Sequence, residues 1–220
     1  MAYLDFIGRL HKKTKRDYRA RVLEHDKAHC AEIAKKYGRE YWDGDRAYGY
    51  GGYVYDGRWA PVAQDLVDHY GLQSGHRVLD IGCGKAFLLF EMQKAVPGLQ
   101  VRGIDVSSYA LDHAREEMKP FLDHGSAVSL PYADREFDFV ISLNVLHCFS
   151  LPDLATAVAE LERVKRGGSY IVVESYRNER EKANLLFWQN TCDCILDTRA
   201  WEWALQRFGY TGDHSFIFFE

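Results

Sequence analysis

The stretch Arg77-Val78-Leu79-Asp80-Ile81-Gly82-Cys83-Gly84-Lys85-Ala86-Phe87-Leu88-Leu89 passes from an apolar run through a Gly-x-Gly turn directly into a helical pattern. It reads as a strand feeding a helix through a turn too tight for side chains. Gly82 and Gly84 permit positive φ and let a ligand lie against the main chain. The helix that follows directs its first N–H groups back at that ligand. A second short strand, Val101-Arg102-Gly103-Ile104-Asp105, ends in a carboxylate about 20 residues beyond the glycines, the spacing at which a β-α-β unit sets an acid on a ribose.

The same rhythm continues outward. Pro61 opens a helix that runs through Tyr70 and is stopped by Gly71. Residues 87–95 follow the turn as helix, and Ser107 or Ser108 caps another that extends to about Met118. A short third strand lies near 121–124, a fourth at 137–142 and a fifth at 169–174. A helix opened by Ser150 and Pro152 separates the last two. Further helices are expected over 181–196 and from Thr198 to Phe208, then one β segment within 210–220. Strand and helix in alternation mean a parallel sheet with crossover helices. The expected fold is α/β, a Rossmann-like three-layer sandwich with helices on both faces of a mostly parallel sheet.

Taken with Asp80 before the glycines and Asp105 after them, the run Asp80-Ile81-Gly82-Cys83-Gly84-Lys85-Ala86 resembles the first motif of the class I S-adenosylmethionine (SAM) dependent methyltransferases. Ala86 replaces that family's third glycine. The resemblance extends over about 59–219 and implies SAM as cofactor, S-adenosylhomocysteine (SAH) as product and no metal. It implies that Asp80, Gly82, Cys83, Gly84 and Asp105 hold the methionine portion and ribose. Val106, Ser126 and Ala127 would then hold the adenine, with Leu143 beneath the sulfonium. Ser126 stands where the family usually has Asp; a hydroxyl accepts a hydrogen bond less strongly than a carboxylate. The family usually ends in an antiparallel strand pair, and here that pair is expected to be shortened.

Chemistry in such a sheet gathers at the carboxyl ends of the strands. Asn144 and His147 follow the fourth strand; Glu174, Tyr176 and Arg177 end or follow the fifth. His147 and Glu174 are the candidate catalytic residues. His147 could deprotonate a nucleophile or pack under the cofactor as a neutral hydrogen-bonding group. Arg177 could hold a carboxylate or phosphate, or make a plain ion pair. Methyl transfer needs little beyond an in-line approach, so a base matters mainly for hydroxyl acceptors. No Asn-Pro-Pro-Tyr or Asp-Pro-Pro-Tyr run follows the fourth strand, which argues against an amine on a nucleic-acid base.

Residues 1–60 read as a helical and Tyr/Gly-rich cap that is not independent, and 61–220 as the methyltransferase-like domain. The chain from Leu4 to about Tyr37 reads as helix. Its early part is basic (Lys12, Lys13, Lys15, Arg16, Arg19, Arg21), either a solvated face or a contact for RNA or anionic lipid. Residues 41–59 alternate aromatics with glycines and follow no helical or strand period. They suit a lid over a small polar ligand, or a linker anchored by its rings. In the resembling family this region often covers the cofactor, which implies Arg46, Tyr48 and Tyr50 as contacts.

At 220 residues, 47% apolar and 27% charged, the chain suits a globular protein with one core. A net charge of −4 argues against a nucleic-acid surface as the main feature. Five scattered cysteines lack the spacing of a zinc site and suit a reducing compartment. With neither an apolar signal region nor a membrane-length run, a cytoplasmic location is expected. The expected function is methyl transfer from SAM to a small polar acceptor, at O or N. A SAM-binding protein with other chemistry or a regulatory role is the alternative, and an RNA methyltransferase the third.

Overall fold

Apolar residues sit at successive positions along the strands, so each strand buries both of its faces. In a computed structural model, which describes residues 1–11 and 17–220, six strands form one sheet. They are β1 (Arg77–Ile81), β2 (Gln100–Asp105), β3 (Leu122–His124), β4 (Phe137–Leu143), β5 (Lys165–Glu174) and β6 (Asp213–Ile217). Their order is β3-β2-β1-β4-β5-β6 and every pairing is parallel. Strand order reverses between β1 and β4, which opens a crevice at their carboxyl ends.

Helices cover both faces. The N-terminal part contributes α1 (Gly8–His11), α2 (Tyr18–Glu24), α3 (Lys27–Ala34) and α4 (Arg39–Asp43). Then come α5 (Ala60–Tyr70), α6 (Phe87–Ala95), α7 (Ser108–Asp112), α8 (Leu151–Val164), α9 (Glu179–Trp188) and α10 (Thr198–Arg207). Tyr170 and Val172 of β5 pack with Leu66 of α5 and Leu89 and Met92 of α6. Their neighbours Ile171 and Val173 pack on the other face with Leu154, Val158 and Leu161 of α8 and Trp201 of α10. Each of these large side chains is fully buried and contributes about 1.5–3 kcal/mol.

Four expectations change in detail. The helix expected over 4–37 is broken, because Asp17 and Asp26 each accept a backbone N–H three residues on and restart the helix there. Lys12, Lys13, Lys15 and Arg16 of the basic run lie outside the described residues. Helix α9 begins at Asn178, whose side chain caps it, and stops at Trp188 rather than 196. Helix α7, capped by Ser107, ends at Asp112 rather than near Met118. The shortened pair expected at the C terminus is a single strand, β6, parallel to β5 because α10 carries the chain back across the sheet. The N-terminal segment lies along the outer edge of β6, with Tyr3 bridged to His214 in parallel.

Candidate active site

Gly82 and Gly84 take φ of +79° and +54°, and a Cβ at Gly82 would fall 2.1 Å from Val145 Cγ2. Ala86, in place of a third glycine, is also left-handed, with φ +58°, and is buried at the start of α6. That conformation costs an alanine about 1 kcal/mol, and the turn keeps its shape. Asp105 ties the turn to β2: one carboxylate oxygen accepts the Gly84 N–H and the other the Ser107 N–H, each at 2.8 Å. Burial pushes the Asp105 carboxyl above its usual range, against the pull of those amides. Asp80 is pushed up to about 7 by burial and by Asp105.

The aromatic segment closes over this turn. Trp42 donates its indole N–H toward Ser107 Oγ at 2.8 Å and the Tyr37 carbonyl at 3.1 Å. Its ring lies over Gly84, where a Cβ would come within 2.8 Å. Tyr50 stacks on Trp42 at 5.2 Å, and Tyr53 stacks on Phe87 of α6 at 5.1 Å. Lys85, buried in the turn, pairs with Asp43 at 2.7 Å; Asp43 also accepts from the Tyr53 N–H and the Tyr109 hydroxyl. The segment is anchored by its rings, and Tyr41, Trp42 and Tyr50 line a cavity beneath it.

That cavity has a volume of about 290 Å³. Tyr41, Trp42 and Tyr50 line it from the cap, and Gly82, Asp105, Val106, Ala127, Leu143 and Asn144 from the sheet. Asp80, Cys83 and Gly84 line a smaller cleft of about 50 Å³ against Trp42. Ser126 does not line the main cavity; its hydroxyl faces the Val128 N–H at 3.4 Å, and Gly125 and Ala127 form the wall there. A second cavity, of about 120 Å³, shares Tyr41, Tyr50 and Asn144 with the first. Arg46, Tyr48, His147 and Glu174 line it. Asn144 has φ +62° and a buried Oδ1 with no hydrogen-bond partner among the described residues.

Tyr176 and Arg177, expected to face substrate, line neither cavity. The Arg177 guanidinium is drawn to Glu181 in the first turn of α9 and to Glu220. Tyr176 bridges to Asp197 through its backbone. Conversely, Tyr41, Trp42, Lys85, Arg21 and Trp188 were not singled out from the sequence. Trp42 and Lys85 adjoin quoted motif residues. Arg21 and Trp188 come from α2 and α9, which only the tertiary fold brings together.

His147 is 2% exposed, and its Nδ1 accepts the Glu174 backbone N–H at 3.3 Å. The proton of the neutral ring therefore sits on Nε2, which faces the Glu174 carboxylate at 3.6 Å. Burial lowers the imidazole pKa to about 3. Below the unfolded value of about 6.5 the unfolded chain takes up a proton that the folded chain refuses. Stability is thus fully present above pH 6.5 and falls as pH drops toward 3, by about 1.4 kcal/mol per unit from this group. Urea denaturation between pH 7 and 5 is expected to show a shallower acid-side loss for His147→Gln. Asp80 contributes a slope of opposite sign to both proteins and cancels in the comparison. Equal slopes would show that His147 is not held neutral.

Among the described residues no helix is long and apolar enough to cross a membrane, and no group of three or more His, Cys, Asp or Glu side chains could hold a metal ion. Residues 79–173 match the methyltransferase domain family. A demethylmenaquinone methyltransferase of Halalkalibacterium halodurans is 34% identical over 120 residues, covering 51% of this chain and 48% of that protein. The protein of the same name from Staphylococcus saprophyticus is 35% identical over 112 residues, covering 49% and 47%. The chain spans about half the length of these curated relatives. Among solved structures, the YcgJ protein of Bacillus subtilis matches with a TM-score of 0.56 and 22% identity, over 66% of this chain and 67% of that one. The family match runs from β1 to β5 across the glycine turn and Asp105, so residues 79–173 carry a methyltransferase domain.

Proposed function

We propose that this protein transfers the methyl group of SAM to a small acceptor, at nitrogen or oxygen, held between the aromatic cap and the carboxyl ends of β4 and β5. The observation that carries this reading is that two cavities meet at Asn144, one walled by Asp105 and the glycine turn, the other by Glu174 and His147. The residues fit the cofactor. Asp105 offers a buried carboxylate for ribose hydroxyls, and Asn144 Oδ1 is a buried acceptor suited to an ammonium. Bound SAM supplies an electrophilic methyl on a sulfonium. The chain's own contribution is to hold that methyl near the acceptor, exclude water through the Trp42–Tyr50 roof, and manage the acceptor's proton.

The relatives are named for demethylmenaquinone, but the share of them that this chain matches does not extend that acceptor to it. The test is SAH release on incubation with SAM and candidate acceptors, alongside calorimetry of SAM. Asn144→Gly preserves the left-handed backbone and removes the buried acceptor. It is expected to weaken SAM binding about 10-fold, as befits a lost hydrogen bond to a charged group. Unchanged affinity would take Asn144 out of the cofactor site, and no SAM binding by the wild type would end the methyl-transfer reading.

A further inference from the structure

We propose that Tyr41, Trp42 and Tyr50 form a charge-sensing wall of the main cavity, one that holds the sulfonium of SAM through the faces of its rings and has no such hold on the neutral thioether of SAH. The proposal deepens the methyl-transfer reading and rests on it.

The wall is preorganised. Trp42 and Tyr50 stack with ring centres 5.2 Å apart and planes within 8° of parallel. Tyr41 meets both in T-shaped pairs, at 5.2 and 5.4 Å, and Tyr37 meets Tyr41 in the same way at 5.2 Å. Stacked and T-shaped pairs at these distances are the favoured arrangements of aromatic rings. The backbone ties the two halves together: the Tyr50 N–H donates to the Tyr41 carbonyl at 2.8 Å, and the Gly52 N–H to the Trp42 carbonyl at 3.1 Å. All four ringed residues line the same cavity.

The electrostatics of the cavity suit a cation. Among the described residues that line it there is no lysine, arginine or histidine, and Asp105 is the one acid. Lys85, the cation of the glycine turn, is drawn away to Asp43 at 2.7 Å. Burial pushes the Tyr41 hydroxyl well above its usual range and that of Tyr50 up to about 12, so both stay neutral phenols at neutral pH. What they offer a cation is therefore a ring face. The quadrupole of such a face attracts positive charge most strongly where water is excluded.

SAM and SAH differ at this wall by one unit of charge. On transfer the acceptor's lone pair forms the new bond to the methyl carbon, the C–S bond breaks and its electron pair stays on sulfur. The positive charge leaves with the acceptor, which sheds it to water as a proton, and the sulfur left against the wall is neutral. Contacts to adenine, ribose and the amino-acid portion are common to both ligands and cancel in the ratio of their affinities. The wall's contribution is what remains, so the product loses its hold on the cap in the step that forms it.

The experiment is calorimetric titration of the full chain with SAM, SAH and sinefungin, in which a carbon bearing an ammonium replaces the sulfonium. SAM and sinefungin are expected to bind about 10-fold or more tightly than SAH, the effect of a desolvated cation on aromatic faces. Tyr41→Leu and Tyr50→Leu are each expected to lower the preference for SAM over SAH by about threefold, with SAH affinity within about twofold of wild type as evidence of folding. Tyr50→Phe keeps the ring and is expected to keep the preference. If the leucine variants do not fold, fluorination of the phenylalanine ring in Tyr50→Phe decides, because it withdraws charge from the ring face and keeps the shape. The preference is then expected to fall with each added fluorine. Equal affinity of the wild type for SAM and SAH, or a preference that neither leucine nor fluorination lowers, overturns the aromatic wall alone. Failure of the wild type to bind either ligand overturns the methyl-transfer reading beneath it.

Discussion

Asp105→Ala is expected to weaken binding of both SAM and SAH by about 100-fold or more and to lower stability by about 3 kcal/mol. The carboxylate serves the protein before it serves any ligand. It accepts the amides of Gly84 and Ser107, each at 2.8 Å, and so holds the glycine turn, the end of β2 and the start of α7 in one arrangement. Alanine leaves both amides without an acceptor in a buried place, at about 1–3 kcal/mol for each unsatisfied group. It also removes the anion from the cavity wall where ribose hydroxyls would bind. Asp105→Asn does not repair this, because an amide has one oxygen for two N–H donors and turns its NH₂ toward the other. Calorimetric titration of both ligands, with urea denaturation in parallel, separates the two losses. Wild-type affinity in Asp105→Ala would place the cofactor away from this turn.

The parts of this site that could be read from sequence are those set by local backbone chemistry. Gly82, Gly84 and Asp105 are legible because a strand–turn–helix and the strand after it force their spacing. The placement of Asn144 and Glu174 follows from parallel strands that deliver their carboxyl ends to one edge. Arg177 was ambiguous for a physical reason: its partner Glu181 lies one helical turn on, and a local ion pair outcompeted the cavity. The long N-terminal helix was overestimated because Asp17 and Asp26 look like ordinary charged helix residues until their side chains are seen to cap new starts. The second cavity was least legible. Arg21, Arg46, Glu174 and Trp188 are far apart in the chain, and no periodicity relates them.

Asp43→Ala is expected to destabilise the protein by about 3 kcal/mol, because it strands a buried cation. Lys85 is 4% exposed and sits between the two left-handed positions Gly84 and Ala86, so the backbone fixes where its side chain leaves the turn. Its Nζ lies 2.8 and 2.7 Å from the two oxygens of Asp43, with the Tyr109 ring centre 6.0 Å away. Burial works to raise the Asp43 carboxyl, but hydrogen bonds from Lys85, the Tyr53 N–H and the Tyr109 hydroxyl hold it below its usual range. That contribution is therefore present above an unfolded value of about 3.9 and is lost as pH falls through the lower folded one. Breaking the pair releases α4, and with it the Trp42 ring over Gly84, so SAM affinity should fall along with stability. Removing both charges in Asp43→Ala/Lys85→Met leaves no stranded ion and is expected to recover most of the loss. Urea denaturation of the two single variants and the double variant gives the coupling directly. A loss below about 1 kcal/mol in Asp43→Ala, the range of an exposed ion pair, with no recovery in the double variant, would mean that the cap is held by its rings alone.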